Sequence, residues 1–213
     1  MTAKGNPKRR RRADAERNRE RLLAAAVKAF AQSAEVPLED VARRAKVGIG
    51  TLYRHFPTRA ALIEAAYRHE VAQLCAPVTR SRKTLAPEAA LQAWMERFIH
   101  YVAAKRGMAD ALGSVVSADS ALYADTRQQM VKALRSLVGD AVSSGAIRAD
   151  ADAEDVLLAM RGVWQVTSEP DWQDKARRLL KLLMDGLRYG APRARTRVRA
   201  RAAKPTEGVG LLG

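Results

Sequence analysis

The sequence contains a single cysteine, Cys75, so it cannot form an internal disulfide. This excludes a disulfide-stabilised secreted scaffold, and Cys75 is interpreted as a small buried hydrophobe, the alternative being a redox sensor. Aromatic residues make up only 5% of the chain, and abundant alanine favours helices over sheets. The first apolar stretch, residues 22–31, is interrupted by Lys28 and is too short to span a membrane. We therefore expect a cytoplasmic protein without a signal peptide.

The sequence also lacks the patterns of catalysis and metal binding. Gly48 and Gly50 match the first two glycines of a nucleotide-binding fingerprint, but no strand precedes them and Tyr53 stands at the third position. The three histidines are scattered and have no acidic partners at metal-binding spacing. We predict that the protein is not an enzyme and needs no cofactor and no metal.

Positive charge is concentrated at the two ends. Residues 1–13 contain six Lys or Arg and no acid, and residues 190–213 contain six against Glu207 alone, so the ends carry most of the net charge of +15. We predict a disordered basic arm over 1–13 and a disordered basic tail over 190–213. Arg10 and Arg12 are candidates to reach a DNA minor groove, the alternative being non-specific attraction to phosphates.

The pattern of residues 14–58 predicts three helices. Asp14 is expected to cap a first helix that ends near Ser33, and the apolar spacing from Leu38 to Ala45 predicts a second. About three residues then form a tight turn, and Leu52 and Phe56 anchor a third helix. The opposite face of that helix carries groups that can contact phosphates or base edges: Gly50, Thr51, Tyr53, Arg54 and His55.

These residues resemble the TetR family of bacterial transcriptional regulators. The family pattern is Ile-Ala-x-x-Ala-Gly-Val-Ser-x-Gly-Thr-Leu-Tyr-x-His-Phe-x-x-Lys, and residues 41–59 read Val-Ala-Arg-Arg-Ala-Lys-Val-Gly-Ile-Gly-Thr-Leu-Tyr-Arg-His-Phe-Pro-Thr-Arg. Lys46 replaces the turn glycine and Gly48 the capping serine. A left-handed Lys46 would cost on the order of 1 kcal/mol, and losing the serine removes a phosphate contact.

The resemblance implies an all-α protein. We expect an N-terminal three-helix helix-turn-helix domain (14–58) and a C-terminal helical ligand-binding and dimerisation domain (59–189), with helix 59–75 as linker. Arg59 matches the family lysine as a phosphate clamp, the alternative being a solvated charge. The predicted DNA contacts, besides the two arm arginines, are Leu38, Arg43, Gly48, Ile49, Gly50, Thr51, Tyr53, Arg54, His55 and Arg59.

The second domain resembles SbtR-type members around 101–107 and 119–122. The effector-pocket candidates are Trp94, Met95, Phe98, Tyr101, Met108, Met130, Leu134 and Trp164, each of which is alternatively plain core. The last two helices carry more apolar surface than one bundle face needs, which predicts a dimer interface. Its candidates are Val156, Met160, Val163, Leu179, Leu180, Leu183 and Leu187.

The predicted function is sequence-specific transcriptional regulation. We expect a homodimeric repressor that an unknown small molecule releases from a palindromic operator of double-stranded DNA, and that is nucleoid-associated when bound. The alternative is an architectural DNA-binding protein with little sequence preference, which would need only the basic ends.

Overall fold

The computed structural model describes residues 7–117 and 120–190, with the side chains of 7–10 excepted. Every regular element in these ranges is helical, which confirms the all-α fold class. The N-terminal helices are α1 (Pro7–Phe30), α2 (Leu38–Arg44), α3 (Ile49–His55) and α4 (Arg59–Cys75). The others are α5 (Val78–Thr84), α6 (Pro87–Gly107), α7 (Ala109–Gly113), α8 (Ala121–Ser143), α9 (Ala153–Met160), a 3-10 segment (Arg161–Val166) and α10 (Trp172–Arg188). None of these helices is both long and apolar enough to cross a bilayer.

The first helix begins earlier than the sequence indicated. It begins at Pro7, so Asp14 is an interior residue rather than its cap, and the prediction of a disordered arm over 1–13 is wrong for residues 7–13. Proline is well suited to the first helical position, and the arginines that follow are good helix formers. Residues 1–6 and 191–213, with most of the predicted tail, lie outside the described residues.

The N-terminal helices share one apolar core with the rest of the protein. The buried face of α1 includes Leu22, Ala26 and Phe30, and α4 contributes Ile63 and Tyr67 to the same continuous cluster. α4 packs against α1, α6 and α8. A displacement of α4 therefore acts on both regions, because close-packed interiors transmit strain.

The C-terminal region departs from the sequence reading at two places. The sequence did not indicate α5, and the helix that begins after Asp152 ends at Met160, where the backbone tightens into the 3-10 segment. Gly162 lies in this segment and lowers its helix propensity. Asp152 caps α9, since its carboxylate accepts hydrogen bonds from the amides of Glu154 and Asp155 at 2.7 and 3.2 Å.

A candidate DNA-binding surface and an internal cavity

The turn between α2 and α3 is built on a left-handed lysine. Lys46 has φ of 56°, the only positive φ at a non-glycine residue in the described chain. The Val47 amide donates to the Ala42 carbonyl and the Lys46 amide to the Arg43 carbonyl, both at 3.0 Å. This pair of bonds is a Schellman motif, which satisfies the last carbonyls of α2. Lys46 therefore adopts the left-handed conformation for which glycine is the usual residue in this turn.

Helix α3 buries one side and presents the other to solvent. Leu52 is fully buried, whereas 46% of Tyr53 and 38% of Ile49 are exposed. Gly50 and Arg54 are exposed and Thr51 is half-buried. Hydroxyl, phenol and guanidinium groups on one face of a protruding helix can donate to phosphates and base edges in a major groove.

Other predicted contacts divide between this surface and the core. Arg43 is exposed on α2, where it forms an ion pair with Asp40 at 2.7 Å. His55 is half-buried beside the Phe56 ring. Leu38 is buried, with 7% exposure, because it belongs to the apolar face of α2. Its prediction as a DNA contact is therefore corrected to a core role.

Arg59 holds a turn together. One guanidinium nitrogen donates to the Val36 carbonyl at 2.7 Å, and the other donates to the Ala34 carbonyl. The guanidinium carbon lies 5.1 Å from the centre of the Phe30 ring. Both sequence interpretations of Arg59, phosphate clamp and solvated charge, are replaced by this contact, because a part-buried donor satisfying two carbonyls stabilises the turn between α1 and α2.

The two arm arginines lie at the start of α1. Arg12 is exposed, and the side chain of Arg10 is outside the described part of the chain. Further along the helix, the Arg19 guanidinium carbon lies 5.7 Å from the centre of the Phe56 ring, just beyond α3. Within the described residues, Arg19 of α1 therefore approaches the end of α3 from a helix rather than from a free arm.

A cavity of about 900 Å³ opens among α4, α6, α8, α9 and the 3-10 segment. Its wall contains four of the predicted residues, Phe98, Tyr101, Met130 and Trp164. The other lining residues are Tyr67, Val102, Lys105, Val116, Tyr123, Arg127, Leu157, Leu158, Met160, Arg161, Gly162 and Gln165.

The remaining predicted pocket residues belong to the core. The four side chains concerned are buried and do not line the cavity: Trp94, Met95, Met108 and Leu134. Helical spacing places a residue on an inward face, but it does not distinguish packed interior from cavity wall. These four are corrected to core positions.

Aromatic hydroxyls and three cationic side chains, Lys105, Arg127 and Arg161, give the cavity its polarity. The Tyr67 and Tyr101 hydroxyl oxygens share a hydrogen bond of 2.9 Å. Burial, reinforced by Tyr67, raises the pKa of Tyr101 well above its ordinary value, so its hydroxyl stays protonated. The sequence reading missed Lys105, whose ammonium faces three aromatic rings, because those rings come from distant segments of the chain.

Cys75 is half-buried at the end of α4. Its thiol lies 3.8 Å from the Gln129 carbonyl oxygen, to which it donates. Burial raises the pKa of the Cys75 thiol to about 11, so almost none is thiolate at neutral pH. This favours the interpretation as a small hydrophobe over that as a redox sensor.

An apolar groove runs along α9, the 3-10 segment and α10. Leu182 is 70% exposed and Leu179 40%, with Gly162 and Gly186 allowing close approach beside them. The other lining residues are Arg148, Ala159, Val163, Leu180, Leu183 and Leu187. An exposed apolar strip of this kind is typical of an interaction surface.

Two of the predicted dimer residues lie elsewhere. Val156 and Met160 are buried inside the subunit, at 3% and 0% exposure, because α9 packs them against α8 and the core. They are corrected to core residues, with Met160 also reaching the cavity wall. Leu182 and Leu158, at 70% and 60% exposure, were not among the predicted residues and are the most exposed leucines of the last helices.

Comparisons with known proteins agree with this architecture. The family "Bacterial regulatory proteins, tetR family" matches residues 22–66. "Transcriptional regulator SbtR-like, C-terminal domain" matches residues 86–189. A search of curated proteins found no match.

Several solved structures are similar over most of the chain. The TetR transcriptional regulator SCO0520 from Streptomyces coelicolor has 49% identity and a TM-score of 0.73, with 80% of this chain and 98% of that one covered. A TetR regulatory protein from Mycobacterium vanbaalenii has 31% identity and a TM-score of 0.69, covering 83% and 98%. The TetR-like regulator LfrR from Mycobacterium smegmatis, solved with proflavine, shares the fold at 21% identity and a TM-score of 0.55, covering 82% and 96%.

The fold and its exposed recognition helix define a helix-turn-helix DNA-binding transcriptional regulator with a helical C-terminal domain. The chain belongs to the TetR family of transcriptional regulators, and its C-terminal domain is SbtR-like.

Proposed function

We propose that this protein is a homodimeric repressor that binds a palindromic operator and is released by a small molecule in the 900 Å³ cavity. The observation that carries the proposal is the position of α4. Its first residue, Arg59, holds the turn between α1 and α2, and its Tyr67 lies in the cavity wall. One helix thus touches both the DNA-binding region and the cavity.

The DNA-binding contacts are proposed on the exposed face of α3 and beside it. Each subunit inserts α3 into a major groove, and the two-fold axis of the dimer makes the operator symmetric, with half-sites about one helical turn apart or a multiple of it. The proposed contact residues are Arg10, Arg12, Arg43, Gly48, Ile49, Gly50, Thr51, Tyr53, Arg54 and His55. The domain boundary is proposed near residue 58, where α4 begins.

The dimer is proposed to form through the groove on α9, the 3-10 segment and α10. The groove contains an apolar strip formed by Leu179, Leu182 and Leu183. Its exposure to water is unfavourable, so burial against a second subunit would be favourable. Glycines at 162 and 186 would let the backbones of paired helices approach. The proposed interface therefore comprises Val163, Leu179, Leu180, Leu182, Leu183 and Leu187.

Release by a ligand requires that the ligand bind more tightly to a conformation in which the two α3 helices are wrongly spaced for the operator than to the DNA-binding conformation. A coupling free energy of about 1–3 kcal/mol between the cavity and the recognition helices suffices for a useful switch. The structure of LfrR with proflavine supports a ligand-responsive reading, since that regulator has the same fold. We propose that the protein acts on DNA in the cytoplasm, without enzymatic activity.

Selection of random duplex DNA by the purified full chain, sequenced at near-physiological salt, tests this function. A repressor of this kind enriches a two-fold symmetric motif and prefers it to random DNA by roughly a thousandfold or more. An architectural protein would leave the pool unenriched and would show only a steep salt dependence. An unenriched pool therefore overturns the proposal in favour of the architectural alternative.

A further inference from the structure

A lysine lies inside the cavity among aromatic rings. The ammonium nitrogen of Lys105 is 5.0 Å from the centre of the Tyr123 ring, 5.3 Å from that of Trp164 and 5.7 Å from that of Tyr67. The rings come from α8, the 3-10 segment and α4, while Lys105 lies near the end of α6. Four elements thus converge on one positive charge.

No acidic side chain balances that charge within the described chain. Among the described lining residues there is no Asp or Glu, and no carboxylate there lies within salt-bridge distance of Lys105. The cavity wall also carries Arg127 and Arg161. Arg127 is partly compensated by Glu154, at 3.1 Å, but Glu154 is not part of the wall.

The aromatic rings attract the Lys105 ammonium but do not accept conventional hydrogen bonds from it. Each ring face offers quadrupole attraction, but none accepts the directed hydrogen bonds that the three ammonium N–H groups can donate. In the described chain no oxygen accepts from Lys105, so an oxygen-bearing anion in the cavity would gain both a charge and a hydrogen-bond partner. Partial exclusion of water by the rings strengthens that interaction.

The rest of the wall suits an apolar body. Phe98, Val102, Met130 and Leu157 provide apolar and aromatic surface on the other sides of the cavity. In the hydroxyl pair of Tyr67 and Tyr101, one O–H donates to the other oxygen and the second O–H remains able to donate to a ligand. The wall therefore combines positively charged side chains with a large apolar lining, the usual way in which a pocket orients an amphipathic ligand.

We propose that the effector is an amphipathic anion whose carboxylate, or equivalent oxyanion, binds Lys105 while its aromatic or aliphatic body fills the apolar part of the cavity. This inference rests on the proposed function, because it names the chemical class of ligand for the same cavity. Arg161 adds to the positive field at the wall.

Three probes of nearly the same shape but different charge test the proposal. Calorimetric titration of the full chain with 2-naphthoate, 2-naphthamide and 2-naphthamidine compares an anion, a neutral molecule and a cation. The wild-type protein is expected to bind 2-naphthoate about tenfold or more tightly than 2-naphthamide, as a charge-assisted hydrogen bond implies. The cation is expected to bind weakest.

Variants of Lys105 test whether this residue causes the preference for 2-naphthoate. Lys105→Met keeps the length of the side chain without its charge and is expected to abolish the preference for the anion, whereas Lys105→Arg retains it. Lys132→Met removes an exposed charge on α8 that is not part of the cavity wall, and should change nothing. Circular dichroism confirms that each variant is folded. If the wild type, Lys105→Met and Lys105→Arg all show the same preference for 2-naphthoate, Lys105 is not the residue that binds the anion.

The outcomes separate the ligand class from the switch. Equal or tighter binding of 2-naphthamide or 2-naphthamidine, or no binding of 2-naphthoate at millimolar concentration, overturns the proposed ligand class. Binding of 2-naphthoate without release of a selected duplex supports the ligand class but contradicts ligand-induced release. Release of the duplex by the cation alone supports the switch and contradicts the ligand class.

Discussion

Gly107 at the end of α6 lies so close to Ala31, just beyond α1, that an ideal Cβ at position 107 would be 2.8 Å from the Ala31 Cβ and 3.3 Å from its Cα. This is the point where the cavity-lining helix α6 meets the helix that supports the recognition unit. Real Cβ atoms essentially never approach that closely, and Ala31 has no flexible side chain that could move aside. Glycine is therefore needed at 107 for the two helices to pack as they do.

Gly107→Ala is predicted to destabilise the fold. Overpacking typically costs about 1–3 kcal/mol, and the better helix propensity of alanine returns up to about 1 kcal/mol, so we expect a net loss of about 1 kcal/mol in the free energy of unfolding. Denaturant unfolding at a fixed protein concentration measures it. Gly139→Ala is the matched control, because a Cβ there meets nothing within 4 Å and should be stabilising. A Gly107→Ala protein as stable as the control would contradict the close contact.

Tyr53 and Thr51 are predicted to carry recognition of the operator. Replacing either by alanine removes a polar group from the exposed face of α3 and should weaken binding of a selected duplex by roughly tenfold to a hundredfold, corresponding to about 1–3 kcal/mol. Fluorescence anisotropy of a labelled duplex measures the change. Tyr189→Ala, which removes an 82% exposed tyrosine just after α10, should bind like the wild type. Unchanged binding by both α3 variants would show that the recognition face is misplaced.

Gly48→Ser is predicted to strengthen DNA binding. Gly48 caps α3 with φ of −70° and ψ of 146°, a conformation that serine adopts readily, and a Cβ there meets nothing within 4 Å. A serine hydroxyl can cap an α3 amide, which stabilises the helix by a few tenths of a kcal/mol, or contact a phosphate. We expect duplex affinity to rise about twofold to tenfold in the same assay. Gly48→Ala, which adds the Cβ without the hydroxyl, should bind no better than the wild type, and equal gains in both variants would contradict the role of the hydroxyl.

Arg59 and Arg43 are predicted to differ in what they stabilise. Arg59→Met removes two hydrogen bonds to the carbonyls of the turn between α1 and α2 and should lower the free energy of unfolding by about 1–3 kcal/mol. Arg43→Met breaks only an exposed ion pair with Asp40 and should cost little stability.

The salt dependence of duplex binding provides the second readout for this pair. Arg43→Met should reduce the slope of log Kd against log salt by about one, since it removes a proposed phosphate contact. Arg59→Met should leave the slope unchanged once the protein is folded. A reduced slope for Arg59→Met alone would restore its role as a phosphate clamp.

The recognition unit was predictable because its information is local. The apolar spacing from Leu38 to Phe56 determines two short helices, and the turn between them is closed by backbone hydrogen bonds within the same stretch. The length of α1 was not predictable from Asp14, since a capping residue inside a helix looks the same in sequence as one at its start.

The cavity required the tertiary structure. Lys105, Tyr123 and Trp164 come together only when α6, α8 and the 3-10 segment pack, and no spacing within any one helix signals that meeting. The role of Arg59 also depended on contacts between distant parts of the chain. Its place in the family pattern suggested DNA, but the carbonyls that hold it lie on a turn about twenty-five residues earlier.

Dimethyl sulfate interference on a selected duplex is the most direct test of the central claim, that two copies of α3 enter the major groove at the two half-sites of a symmetric site. Methylation of guanine N7 lies in the major groove and blocks a helix inserted there. The account predicts two clusters of interference related by a two-fold axis and separated by about one helical turn or a multiple of it. Interference spread evenly along the duplex would contradict it. So would interference only from methylated adenine N3, which lies in the minor groove.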